Sequence, residues 1–287
     1  MSIFYRLFIG IFIISWGSIL VRWVGDVSPV LIAFYRLFFS IIILIPVLLI
    51  RKEAIKIESK KSRFYFVAAG LLLAGHFYTW IYSLQLTTVA NSIFLESTHP
   101  IFGWILSVIF LKEKGTRLIA VGMISGLIGM YLIILGDISQ SSGAILGDLM
   151  AVLSAFCLAA YLLIARMMTS KTLLIPYLLW VYGTAAFFLL LTGIITDLNF
   201  AGFGWESWLF LLLLALGPNL IGHSLLNWAS RKIEIFKINI ALLAEPVLAT
   251  IYAVFFFKEY PDLIFFIGAL FILSSILTIF SYERKTL

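Results

Sequence analysis

The chain has 287 residues, of which 63% are hydrophobic and 12% charged, with a mean hydropathy of +1.12 and a formal net charge of +6. Soluble domains carry roughly 25% charged residues, so the composition excludes an ordinary water-soluble protein and indicates an integral membrane protein. The longest polar stretch, Arg51 to Arg63, is too short to bury a core of its own, which excludes a separate soluble catalytic or ligand-binding domain.

Runs of about 20 apolar residues, the length that crosses a ~30 Å hydrocarbon layer as a helix, recur ten times. Their continuity argues against a β-barrel, whose ~10-residue strands alternate apolar and polar positions. The first run, 3–23, has no small-x-small cleavage site and carries Ser15-Trp16-Gly17 in its middle, so it reads as a helix rather than a signal peptide. Trp16 lies deep enough to stack on an organic solute or cation. The second run, 30–50, contains Phe34-Tyr35-Arg36-Leu37, and the third, 64–86, contains Gly75-His76 followed by Tyr78 and Trp80. The fourth, 90–111, contains Glu96 and His99-Pro100. The fifth, 116–135, presents Gly122-x-x-x-Gly126 and Gly129, a small-residue face for close helix contact within one chain or across a homodimer. The sixth, 145–166, holds the lone Cys157, which allows no intrachain disulfide and reads as a packing residue. The seventh is 175–196. The eighth, 206–229, contains Gly222-His223 and Asn227, the ninth, 236–257, contains Leu243-Ala244-Glu245-Pro246, and the tenth is 262–282. Trp23, Trp205 and Trp208 fall near run ends and read as interfacial belt residues.

One pattern is written twice. Gly75-His76, Ser83, Pro100, Lys112-Glu113 and Gly122 correspond to Gly222-His223, Ser230, Pro246, Lys258-Glu259 and Gly268, and the Pro-to-Lys and Glu-to-Gly spacings are the same in both copies. Each copy sits in a block of five spans, so the second must enter the membrane from the opposite side. The expected architecture is therefore all-α, ten transmembrane helices in two inverted five-helix repeats, residues 1–140 and 141–287, forming one transmembrane domain. Loop charge gives the orientation. With the N-terminus inside, all of the 20 basic residues fall on the cytoplasmic face except Arg22, Lys258 and the intramembrane Arg36, while Asp26, Asp137, Asp197 and Glu206 lie outside. Both termini are thus expected in the cytoplasm of a multi-pass protein of the plasma (inner) membrane. The positive charge is accounted for by orientation and attraction to anionic lipid, with no nucleic-acid partner.

Ionisable groups in the hydrocarbon cost about 2.5–3.5 kcal/mol each on insertion scales and so need a reason to be there. Six stand out: Arg36, His76, Glu96, His99, His223 and Glu245. Arg36 and Glu96 each lie six residues in from the outer face, a common depth of roughly 9 Å at 1.5 Å per residue, and are expected to pair, as a static lock or as a gate. Glu245 directly precedes Pro246, whose missing N–H frees a carbonyl. A carboxyl shielded from water there is the first candidate for proton coupling or for recognising an amine. His99 occupies the equivalent place in the first half. His76 and His223 correspond across the repeat and are candidates for the cavity wall and for proton sensing. Trp16, Trp80, Tyr78 and Asn227 are further candidates for contact with a substrate. None of the histidines and acids has short-range metal-ligand spacing, so no metal and no cofactor are expected.

Ten spans, the five-plus-five inverted repeat, Phe34-Tyr35-Arg36-Leu37, Leu243-Ala244-Glu245-Pro246 and the repeated Lys-Glu closing the fourth and ninth spans together resemble the EamA family of drug/metabolite transporters, over essentially the whole chain. The resemblance implies a central cavity walled by the first, third, fourth, sixth, eighth and ninth helices, with the fifth and tenth at the periphery, and a family that includes exporters of amino acids and other metabolites. Paired inverted repeats enclose one site that opens to either face in turn. The expectation is a secondary active transporter, not an enzyme, that moves a small organic metabolite, an amino acid or amine, outward and coupled to protons. The competing readings are a membrane-embedded enzyme acting on lipid and a non-transporting scaffold. The first would want its acids and histidines near one membrane face, and the second would not need the repeat. No Walker-type phosphate loop is present to drive transport by ATP directly.

Overall fold

The computed structural model describes residues 3–53, 60–111, 117–137, 142–168, 173–230, 242 and 244–286, and no strand occurs among them. The helices are α1 (Ile3–Ile14), α2 (Gly17–Val24), α3 (Pro29–Arg51), α4 (Lys60–Leu86), α5 (Val89–Glu96), α6 (His99–Leu111), α7 (Arg117–Asp137), α8 (Ser142–Met168), α9 (Leu174–Ile195), α10 (Trp205–Leu214), a π-helical segment (Ala215–His223), α11 (Ser224–Ser230), α12 (Ala244–Phe257) and α13 (Leu263–Thr286). Local chemistry sets several ends. Pro29 opens α3 at a position where its missing N–H is not needed. The Asn91 N–H donates to Thr88 Oγ1 at 3.1 Å, capping α5.

Among the described residues seven stretches are long and apolar enough to cross a membrane: Tyr5–Val24, Pro29–Arg51, Lys60–Leu86, Val89–Phe110, Gly143–Ala165, Leu174–Ile195 and Trp205–Leu226. Shorter apolar helices, Ile124–Ile133, Ala244–Phe257 and Leu263–Ser275, fall where the fifth, ninth and tenth spans are expected. The first part of the ninth expected span, through Ala241, lies outside the described residues. Large apolar side chains such as Leu49, Ile50, Phe187, Phe255 and Leu270 point outward, as they do when the solvent is lipid. The chain is an all-helical, multi-pass membrane protein.

Three spans that read as continuous in the sequence are interrupted. The first breaks at Ser15-Trp16 and the fourth at Ser97-Thr98, and the eighth winds into the π-segment around Pro218. Water is absent from a bilayer core, so freed carbonyls must find partners within the protein. At the first break the Trp16 N–H turns to Ile13 and Ser15 Oγ donates to the Phe12 carbonyl at 2.8 Å, while at the second Ser97 Oγ and Thr98 Oγ1 add second hydrogen bonds, at 2.8 and 2.6 Å, to the Ile93 and Leu95 carbonyls that also accept the Ser97 and Thr98 N–H groups.

Helix pairing runs across the two halves of the chain. α3 packs on α9, α4 on α8 and α9, α5 on α8 and α12, α1 on the π-segment and α11, and α7 on α13. The glycine face of α7 is turned inward on α13. A Cβ on Gly129 would lie 2.6 Å from the Gly268 carbonyl, and one on Gly268 would lie 2.9 Å from the Gly129 carbonyl. Both positions therefore require glycine for the backbones to approach this closely. The small-residue face read from the sequence thus serves contact within the chain.

Candidate functional site

The interruptions and the intramembrane ionisable groups converge. Gly17, just after the first break, faces the Trp80 ring and Pro218 of the π-segment. Trp16 packs against Tyr252 of α12, with ring centroids 4.8 Å apart, and against Phe256 at 5.7 Å. His76 on α4 is buried, with Nδ1 2.8 Å from Ser154 Oγ and 3.3 Å from the Ser154 carbonyl of α8. Its ring lies parallel to that of Trp80 at 6.4 Å, and Phe77 next to it meets the half-buried His223 edge-on at 5.9 Å. His76 is within electrostatic reach of His223, Arg36 and His99.

Glu96 ends α5 and His99 opens α6, so the second break places both: His99 Nδ1 is 3.4 Å from the Glu96 carbonyl oxygen, and both side chains are buried. Glu96 is within electrostatic reach of Glu245 at the start of α12. All six ionisable candidates are thus linked in one neighbourhood, with Trp80 beside Arg36 and His76, while the Trp16 ring contacts are to Trp23, Tyr252 and Phe256. Tyr78 stacks on Tyr82 at 5.9 Å rather than on either tryptophan, and the side chain of Asn227 lies outside the described residues.

Arg36 and Glu96 do not pair, contrary to the expectation from their depth. Equal depth on α3 and α5 does not bring two side chains to the same azimuth. α5 packs on α8 and α12, while α3 packs on α9, α4 and the π-segment. Arg36 turns to α4 and the π-segment. Its Cζ sits 3.7 Å from the Phe77 ring centroid and 5.7 Å from that of Trp80, and Nη2 reaches Asn219 Oδ1 at 3.4 Å. Within the same motif Tyr35 faces the other way. It donates to the Phe200 carbonyl at 2.5 Å and meets Trp208 edge-on at 4.9 Å. Trp23, read as a belt residue, is instead packed between Phe256, at 5.1 Å, and Phe210, at 5.4 Å, whereas Trp205 is exposed.

At one end of the bundle the halves are tied together. Arg22, in the last turn of α2, forms an ion pair with Glu259 at 3.3 Å and donates to the Thr87 carbonyl at 2.5 Å. Glu259 Oε2 also accepts the Val89 N–H at the start of α5, at 2.7 Å. This latch joins α2, the α4–α5 connection and the α12–α13 connection. Lys112-Glu113, the matching pair in the first half, lies outside the described residues.

Three further buried polar residues stand on the elements of the site. Asn219 is fully buried and follows Pro218. A Pro-Asn pair inside an apolar run is itself a sign of an interrupted helix. Ser154 orients His76, and no sequence pattern marks it. Asp148 lies inside the sixth expected span and is 0% exposed on α8.

The chain matches the EamA-like transporter family over residues 2–135 and 145–281. It is similar to "Uncharacterized transporter YoaV" of Bacillus subtilis, 25% identical over 270 residues covering 91% of each chain. It is also similar to an S-adenosylmethionine uptake transporter of Rickettsia conorii, 28% identical over 263 residues, 89% of this chain and 84% of that one. Human solute carrier family 35 member G1 is 29% identical over 178 residues, 58% of this chain, and the match spans about half (48%) of that protein. A crystal structure superposes with a TM-score of 0.72 at 18% identity, over 99% of this chain and 98% of that one, which establishes a shared fold.

Proposed function

The chain belongs to the EamA-like transporter family, and from that premise we propose that it is a proton-coupled secondary transporter of a small amino acid or amine, working by alternating access. The observation that carries the reading is the convergence of three interrupted helices on one cluster of ionisable side chains. Unwound helix segments within a membrane expose backbone groups and line substrate sites rather than lipid.

In this reading the halves are residues 1–140 and 141–287, ten spans in two inverted units with both termini cytoplasmic. The helix pairing supports it. The α4–α8 contact joins the third span to the sixth, and α1 with the π-segment and α11 joins the first to the eighth, its counterpart under an offset of five. The contacts α3–α9, α5–α12 and α7–α13 map onto themselves under the same offset. The Arg22–Glu259 latch then closes the outer mouth, and transport requires it to open.

The coupling group is the Glu96–Glu245 pair. Two carboxyls within electrostatic reach can share one proton, and a cation entering beside them can replace it. Exchange of proton for solute at this pair drives export down the inward proton gradient. The cargo named for the Rickettsia relatives carries an amino-acid group and a positive charge, which fits the same chemical class, although those relatives are named for uptake. The test is flux of amino acids and amines in proteoliposomes with and without a pH gradient. Wild-type flux should accelerate with the gradient, and Glu245→Gln should keep solute exchange while losing the acceleration. Flux in Glu245→Gln and Glu96→Gln that still responds fully to the gradient overturns proton coupling at this pair.

A further inference from the structure

Arg36 is held in a way that packing does not require. Its side chain is 1% exposed, in the interior half of α3, with the guanidinium face laid on Phe77 and flanked by Trp80. A guanidinium offers five N–H donors in a planar fork. Nη2 has Asn219 Oδ1 at 3.4 Å, while Nε and Nη1 meet no acceptor among the described residues. The ion pairs among the described residues are Arg22–Glu259 and Arg51–Glu53, so no carboxylate among them neutralises this charge. A buried cation without its counterion is costly, yet the fold invests in its position. Asn219 is itself fully buried and donates from Nδ2 to Ser40 Oγ at 2.8 Å, and Ser40 Oγ donates to the Arg36 carbonyl at 2.6 Å. The π-turn at Pro218 is what brings Asn219 to this point.

From this geometry we infer that Arg36 receives the carboxylate of the transported solute, so that the cargo is an acid-bearing molecule of the amino-acid type and not a simple amine. The inference rests on the transporter reading above and narrows its substrate class. With its face occupied by an aromatic ring, the guanidinium keeps its N–H edge for an acceptor lying in its own plane. A carboxylate meets that edge with two parallel hydrogen bonds. The fixed positive pole lies on α3 and the acidic pair on α5 and α12, so a solute carrying both charges satisfies both. An amine would leave Arg36 uncompensated.

The test compares sets of three compounds, an L-amino acid, its decarboxylated amine and its methyl ester, for sets with acidic, basic, aromatic and aliphatic side chains. Binding is read by thermal shift of the purified protein and movement by counterflow in proteoliposomes. At least one amino acid should be bound and moved, with its amine and its ester at least tenfold weaker. Arg36→Gln should weaken the acid by tenfold or more without weakening the amine, and Arg36→Lys should restore part of the preference. If Arg36→Gln does not fold, as judged by size-exclusion profile, the wild-type comparison of acid with ester decides alone. An amine or ester bound as tightly as its acid overturns the inference and leaves transport standing. A wild-type protein that moves no solute in any set or in a wider metabolite mixture overturns the transporter reading itself, and this inference with it.

Discussion

Replacing Glu259 by Gln isolates the charge in the Arg22–Glu259 latch and tests its proposed place at the outer mouth. Gln keeps an oxygen that can accept the Val89 N–H, so only the ion pair to Arg22 is lost. The two side chains are 26% and 18% exposed, between the fully exposed pairs worth about 0.2–1 kcal/mol and hydrogen bonds to charged groups worth about 1.5–3 kcal/mol. A loss of about 1–2 kcal/mol follows, and it falls on the closed state alone because an open mouth separates α2 from the α12–α13 connection. That is a factor of about 5–30 in the ratio of open to closed. Ser18 is a suitable reporter, buried one turn beneath Arg22 on α2. In a Cys157→Ser background, Ser18→Cys should react with a membrane-impermeant maleimide from outside about 5–30 times faster when Glu259→Gln is added. Combining Arg22→Glu with Glu259→Arg should bring the rate part of the way back, since the swapped pair regains its attraction but not the Val89 contact. An unchanged rate in a folded Glu259→Gln variant, or an increase seen only from the cytoplasmic side, refutes the latch as an outer closure.

Gly129→Val places a side chain where a Cβ alone would meet the Gly268 carbonyl at 2.6 Å and Ile272 Cγ1 at 2.8 Å. Overpacking of this kind costs about 1–3 kcal/mol and should lower the Tm in detergent, whereas Gly103→Ala, with nothing within 4 Å, should not. Asn219→Ala removes the acceptor for Arg36 Nη2 and the donor to Ser40 Oγ. It should cost about 1–3 kcal/mol in stability and weaken solute binding, both read in one thermal-shift titration. Ser154→Ala leaves His76 Nδ1 with only the Ser154 carbonyl at 3.3 Å and should cost about 1 kcal/mol, seen as a lower Tm.

The apolar runs were legible because lipid demands a run length, and the small-residue face of α7 was legible because it is a spacing. Azimuth was not. Arg36 and Glu96 share a depth, and depth is all that counting along a helix can give. Which way each points depends on how α3 and α5 rotate against their neighbours, and that is set by packing with α9 and the π-segment on one side and α8 and α12 on the other. Tyr35 and Arg36 make the same point within two residues, one turned to Trp208 and the other to Phe77. Trp23 misled for a related reason, because a tryptophan near a helix end can face the belt or the interior without any change in sequence signal.

The breaks could be suspected from Pro218 and His99-Pro100, but not from Ser15-Trp16, and their consequence is the deeper connection between fold and site. An uninterrupted helix in lipid uses every backbone N–H and carbonyl internally and can offer a solute only side chains. Here Ser15 Oγ takes up the Phe12 carbonyl, and Ser97 and Thr98 add hydroxyl hydrogen bonds to carbonyls in the last turn of α5, which fasten the chain where it changes direction. The change of direction is what carries Trp16 to Tyr252, Glu96 toward Glu245 and Asn219 to Arg36. The hydroxyls at the breaks therefore act as supports for residues they do not touch. Removing one should disturb the site by letting the break straighten, so Thr98→Val, which deletes a 2.6 Å hydrogen bond and keeps the side-chain shape, should lower solute affinity more than it lowers Tm. A change in Tm alone, with affinity intact, would mean that the break is held by the surrounding packing and not by its hydroxyl.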